Sequence, residues 1–323
     1  MLKEPLFPAT KEGLLRHSEY LYLEEVLAKF PDDLVAYVAD SYDYFGFLTQ
    51  ILPLAKDTIM ARNGKLVVRG DSGDPVDIIC GIKVSDYSVA VTLDLAASYA
   101  FSDSFNFSDK LTSSLVESIF SYKDKIYKTV YAVELDSFDK VKNYTRESLI
   151  EYILTPEEKG TIEILWDLFG GTTNDLGYKT LDSHIGMIYG DGITMERAQE
   201  IFTQLQNKGF ASLNIVFGIG AYSLAATLSR DDLGIAVKAT SATVSDGNET
   251  RSIPVYKEPK TDKSKKSAKG LLKVTYNADT KLYVLHDNVS EEESQEGELK
   301  TVFLNGNFTD IVSFTDIKTE LYS

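Results

Sequence analysis

The residues best equipped for chemistry lie in LVVRGDSGDP at 66–75, where three apolar residues run into Arg69, Asp71, Ser72, Gly73 and Asp74. An arginine and a carboxylate two positions apart on extended backbone project to the same side. Such a pair suits a ligand carrying both an anionic group and hydroxyls, and taken alone it equally describes a strand-to-loop turn with a surface ion pair. A cell-adhesion reading of Arg69-Gly70-Asp71 is set aside, because the strand before it reads as buried. The same pattern recurs along the chain. LVAYV at Leu34–Val38 delivers Asp40, the run 184–189 delivers Gly190, Asp191 and Gly192, and the run 214–217 delivers Gly218 and Gly220. Exposed backbone N–H groups in glycine-rich turns after late strands can approach phosphate oxygens closely, although Gly218-Ile219-Gly220 by itself is also an ordinary tight turn. Arg230 and Lys238 downstream favour phosphate. Six lysines between Lys257 and Lys269, Lys265 among them, reverse the local sign of an acidic chain. A solvated loop is the usual explanation of such a run, and an anion such as pyrophosphate is the alternative that the sign reversal supports.

These residues need elements to position them. Helical spacing of Leu15, Tyr22, Leu23, Val26, Leu27 and Phe30 predicts a helix over Lys11–Lys29, with Pro31 beyond it. A second helix is expected from about Tyr44 to Met60. Pro156 opens another, striped by Ile162, Leu165, Trp166 and Phe169 and ended by Gly170-Gly171. Thr194 caps a fourth, with Met195, Ala198, Ile201, Phe202 and Leu205 on one face and Gly209 at its end. A further strand is expected over 234–244, carrying Lys238. The region 83–155 breaks this rhythm and reads as an insertion with a packing or oligomer-contact role, helical over 111–120 and 146–154 and extended over 128–135. Strands over 271–276, 281–285 and 299–303, with an acidic loop at Glu291–Glu293, predict a small β-rich region at the carboxyl end. Apolar strands alternating with helices, each strand ending in polar residues, predict an α/β barrel or a doubly wound sheet. The expected domain order is barrel units over 1–82, the insertion over 83–155, further barrel units with the phosphate site over 156–250, and the lysine-rich loop with the β-rich region over 251–323.

Composition narrows the partners. A net charge of −16 over 323 residues argues against nucleic acid and against an anionic membrane surface. Cys80 is the one cysteine, so no internal disulfide is possible, and no apolar run approaches the roughly 18 residues of a membrane span. The start, MLKEPLFPAT, lacks a long apolar leader. A soluble cytoplasmic protein is expected.

Taken together, DSYD at Asp40, RGDSGDP at Arg69, YGDGIT at Tyr189, FGIG at Phe217, RDDLGIAVKA at Arg230 and YKEPKTDKSKKSAKG at Tyr256 resemble the nicotinamide phosphoribosyltransferases in their bacterial and phage-borne form. The resemblance covers nearly all of the chain outside the insertion. It implies a type II phosphoribosyltransferase fold, here a partial α/β barrel, working as a head-to-tail homodimer with two sites at the interface. It implies an enzyme, a pentosyltransferase that joins nicotinamide to phosphoribosyl pyrophosphate in NAD salvage, with Mg²⁺ on the pyrophosphate and no protein metal ligands. By the same carry-over Asp71 and Asp191 hold the ribose hydroxyls, Gly190 and Gly220 lie along the phosphate beside Gly218, and Arg69 faces the pyrophosphate. Arg230 and Lys238 meet phosphate oxygens from the neighbouring subunit, Lys257 and Lys265 meet the leaving group, and Asp40 lines the same pocket. The chemistry is consistent: pyrophosphate departure leaves oxocarbenium character that carboxylates on the diol and cations on the anion favour, and no catalytic Ser, Cys or His is required.

Departures from the family are part of the expectation. Gly70 stands where the family usually has proline, and the turn between Phe217 and Arg230 is about one residue longer. The family's amino-terminal segment, which supplies the first barrel strands and the grip on the pyridine ring, is expected to be missing. Pro8-Ala9-Thr10 resembles the lead-in to the family's phosphohistidine, but Lys11-Glu12-Gly13 follows, so that histidine reads as absent and ATP use is put in doubt; His17-Ser18 is a superficial substitute. The alternative reading is a catalytically silent relative that binds phosphoribosyl ligands or partners a complete subunit. Nicotinate in place of nicotinamide stays open.

Overall fold

The structure is a computed structural model and describes residues 6–104, 115–135, 141–219, 236–245, 247, 249–261, 266–309 and 311–321. The chain divides into two compact units, Met1–Ala226 and Thr227–Ser323.

The first unit is built on a four-stranded sheet in the order Leu34–Val38, Lys65–Gly70, Ile185–Tyr189, Ile215–Phe217, with every neighbouring pair parallel. The strands are short apolar runs, as parallel strands buried on both faces must be. Leu66, Val68, Ile185, Met187 and Tyr189 are buried, while Leu34 and Val38 on the outer strand stay exposed. An open parallel sheet is what the described residues contain; closure into a barrel is not part of it.

Helices cover the sheet. Lys11–Lys29 is one helix with the predicted bounds, begun by Thr10, whose side chain accepts from the Gly13 N–H. Its Leu23 and Leu27 are buried against the main core, a gain of roughly 1.5–3 kcal/mol each. Glu19 on this helix is pushed up to about 7, first by burial and then by Asp43, with Arg16 opposing. The segment Tyr44 to Met60 is helical throughout but passes through a π turn, Phe47–Ile51, which ends two residues before Pro53. There the Leu52 N–H reaches back to Phe47 O. Proline supplies no N–H for the regular ladder, and a local widening of the helix ahead of it accommodates that. Met195–Asn207 is capped by Thr194, which accepts from the Arg197 N–H. Ile201 and Leu205 bury the predicted face, whereas Met195 is exposed at its first position.

The region 83–155 forms its own four-stranded sheet, Ser85–Asp86, Leu115–Tyr122, Lys125–Leu135 and Val141–Glu151. Two expectations fail here. Residues 115–120 and 146–151, read as helical, are strands paired to either side of Lys125–Leu135. Their apolar residues meet helical and extended spacing alike, and cross-strand pairing at Phe120↔Tyr127 and Tyr131↔Arg146 settles the choice. A helix at Leu93–Ser104, unforeseen, packs Ala96, Ala97 and Ala100 beside Phe120 and Tyr122. This excursion leaves and returns at one point. Gly81 and Gly160 both take positive φ (66° and 79°), and a Cβ on Gly160 would lie 2.2 Å from Gly81 N. Beside them the Ile82 N–H donates to Glu158 O at 3.0 Å.

Among the described residues the second unit contains three antiparallel hairpins: Ser241–Ser245 with Thr250–Pro254, Leu271–Asn277 with Leu282–Val289, and Phe303–Leu304 with Asn307–Phe308. The strand expected over 234–244 begins at Ser241, and 236–240 are irregular. Of the strand expected over 299–303, only Phe303 is extended. The acidic loop is a short helix, Glu291–Ser294, closed by a capping box between Ser290 and Glu293.

Candidate active site

Parallel pairing puts every strand's carboxyl end on the same edge of the sheet, so the loops that follow share one neighbourhood. Two backbone bonds tie the strand ends together just past the last ladder rung. Ala39 N–H donates to Arg69 O at 3.0 Å, and Gly218 N–H donates to Tyr189 O at 2.7 Å. Asp40, Asp71, Gly190-Asp191 and Gly218 therefore emerge side by side.

Asp40 is buried at 1% exposure. Its Oδ2 accepts the Asp71 N–H at 3.2 Å and the Ser72 hydroxyl, so it holds the neighbouring loop in place from behind. Arg69 and Asp71 do sit on one side of the chain, with Arg69 Nη2 3.4 Å from Asp71 Oδ1 and both side chains partly exposed. Arg69 Nε is buried and has no hydrogen-bond partner among the described residues. Gly190 lies over this pair: a Cβ on it would meet Arg69 Nη2 at 3.0 Å and Asp71 Oδ1 at 3.3 Å. Gly218 in turn is pressed on Gly190, where a Cβ would come within 2.9 Å of Gly190 Cα. Close backbone approach requires glycine at 218, while a side chain at 190 would press on the Arg69 and Asp71 side-chain ends. Asp191 is exposed at the rim.

Three contributors were not among the predicted site residues. Ser72 is buried beside Asp40. Tyr189 donates its hydroxyl to Gly73 O at 2.8 Å, and its phenol is held well above the ordinary range, first by burial and then by Asp191, Asp71 and Asp40. Arg197 donates from Nη1 to Gly192 O at 3.1 Å and places Nη2 3.7 Å from Asp74 Oδ2, joining the loops after two strands. Asp74 itself caps Pro75–Cys80 through the Val76 N–H. The available signals were a tyrosine in a buried strand, whose hydroxyl needs a partner, and an arginine in the first turn of a helix, against its dipole.

Gly220, Arg230 and Lys265 lie outside the described residues. Lys238 and Lys257 belong to the second unit. Lys238 is exposed in an irregular segment. Lys257 exchanges two bonds with Ser267, its N–H donating to the Ser267 hydroxyl at 2.8 Å and its carbonyl accepting the Ser267 N–H at 2.9 Å. The described residues on either side of 262–265 are thus held together, with Lys266 paired to Glu258 at 2.8 Å and Lys269 over the Tyr256 ring. Among the described residues no group of three or more His, Cys, Asp and Glu could hold a metal ion, and no helix is long and apolar enough to cross a membrane.

Comparison with known proteins adds the chain's relatives. The model of the family described as nicotinate phosphoribosyltransferase (NAPRTase) matches residues 96–307. A nicotinamide phosphoribosyltransferase of Acinetobacter baylyi is 33% identical over 285 residues, which is 86% of this chain and 42% of that protein. One of Mycoplasma pneumoniae is 32% identical over 247 residues, 76% of this chain and 39% of that protein. The chain thus spans less than half the length of these curated relatives.

Proposed function

Since the chain belongs to the nicotinate phosphoribosyltransferase family, we propose that it binds phosphoribosyl pyrophosphate and transfers the phosphoribosyl group to nicotinamide, releasing pyrophosphate. One observation carries this reading: Asp40, Arg69, Asp71, Gly190, Asp191 and Gly218 converge on the carboxyl edge of one parallel sheet, with glycine backbone pressed against an arginine–carboxylate pair. Asp71 and Asp191 are assigned to the ribose diol. Arg69 and the backbone at Gly190 and Gly218 are assigned to the phosphates, whose oxygens would satisfy the buried Arg69 Nε. Negative charge near the ribose favours the cationic character that develops at C1 as pyrophosphate leaves.

Mg²⁺ enters in this proposal on the pyrophosphate oxygens, a mode the ion prefers to an all-protein cage. Arg230, Lys238, Lys257 and Lys265 are assigned to phosphate and leaving group, with two copies of the chain pairing to form two sites. A closed barrel and a cytoplasmic setting belong to the same proposal.

The test is calorimetric titration of the purified chain with phosphoribosyl pyrophosphate and Mg²⁺, before and after Asp191→Ala. Binding by the parent that weakens at least tenfold in the variant is expected; a parent that shows no heat of binding overturns the reading. Incubation with nicotinamide then asks for turnover, and binding without mononucleotide formation would place the chain among silent relatives.

A further inference from the structure

Gly70 and Tyr189 face each other across the two central strands, paired in register. The Tyr189 ring crosses the space above Gly70, so that a Cβ there would stand 3.3 Å from its Cδ2 and Cε2 and 3.4 Å from Tyr44 Cζ. Having crossed, the ring delivers its hydroxyl to Gly73 O, 2.8 Å away and three residues farther along the same loop. Tyr189 is fully buried, so the ring is fixed by packing and its hydroxyl acts as a rigid arm. Gly73 takes φ of 96°, and its carbonyl is the point where the loop turns between Asp71 and the helix cap Asp74.

We infer that Tyr189 is a positioning residue which sets the Asp71–Asp74 loop for the sugar phosphate, and that Gly70 is glycine to let its ring pass. The geometry supports it from both ends of the loop: Asp40 holds the Asp71 N–H and the Ser72 hydroxyl, and Tyr189 holds the Gly73 carbonyl. Three consecutive residues are thus anchored by side chains from two neighbouring strand ends. The arm acts through Asp71 and touches no substrate itself. As far as it concerns ligand, this inference rests on the function proposed above.

Two measurements separate the inference from that reading. Tyr189→Phe keeps the ring and removes the hydroxyl; Tyr44→Phe removes a buried hydroxyl bonded to Thr161 at 3.1 Å in the same core and serves as the comparison. Amide hydrogen exchange on the chain without ligand should speed up by about tenfold in Tyr189→Phe at Asp71 and Val76, whose N–H groups are held by Asp40 and Asp74 at the two ends of the loop, the scale of one lost hydrogen bond. Tyr44→Phe should leave those amides unchanged. Titration with phosphoribosyl pyrophosphate and Mg²⁺ should weaken about five- to tenfold in Tyr189→Phe and less than twofold in Tyr44→Phe. Unchanged exchange at Asp71 and Val76 overturns the inference whatever the ligand does, and so does equal weakening in both variants. Faster exchange in a chain that binds no phosphoribosyl pyrophosphate keeps the positioning role and discards the ligand.

Discussion

Asp40 accepts the backbone N–H of Asp71 at 3.2 Å, so the loop after the outer strand holds the loop after its neighbour. Replacing Asp40 by alanine removes a buried acceptor from both the Asp71 N–H and the Ser72 hydroxyl. A loss of about 2–4 kcal/mol is expected, measured by urea unfolding. A loss below roughly 1 kcal/mol would show that water replaces the carboxylate at little cost.

Gly218→Ala puts a methyl group 2.9 Å from Gly190 Cα, a backbone atom with no rotamer to yield. Overpacking of this kind costs about 1–3 kcal/mol and moves the Gly190 turn away from Arg69. The variant should melt lower than the parent and bind inorganic pyrophosphate more weakly. Unchanged melting and binding would mean that the two turns are not in contact in solution.

Glu19 makes stability depend on pH. Its folded value of about 7 lies above the ordinary 4.5, so between those values the folded chain holds a proton that the unfolded chain has released. Stability attributable to Glu19 therefore falls as pH rises from about 4.5 through 7, by about 1–3 kcal/mol in total. Glu19→Gln removes this slope, and the variant should gain on the parent at pH 8 relative to pH 5 in paired denaturant titrations. Parallel pH profiles for the two would refute the assignment.

Cys80 is buried, its thiol pushed up to about 12 by burial first, with Asp77 and Glu200 adding to the shift and Lys208 opposing it. Thiolate is the reactive form, so the native chain should resist iodoacetamide at neutral pH and react once unfolded. Labelling at the same rate with and without denaturant would contradict the buried position.

Much of the parallel layer was legible because its signals are local. Leu34–Val38 and Ile215–Phe217 are short apolar runs followed within two residues by Asp or Gly, and Thr194 stands one residue before an amphipathic helix. The insertion was harder, since residues 115–120 satisfy helical spacing nearly as well as alternation and only the partner strand decides. At the site, residue types revealed the charged and glycine positions. The Tyr189 arm and the Arg197 bridge depend on which loops come side by side, and no spacing within one segment carries that.

The glycine contact at Gly81 and Gly160 has a consequence for how this chain tolerates change in length. With the two ends of the 82–158 excursion already held together, the entropy of closing it grows only with the logarithm of its size. Residues added or removed between those ends cost the parallel layer little, while a side chain at either glycine would force the junction open. The excursion can drift in sequence and size as an appendage, provided its two hinge-side glycines remain bare.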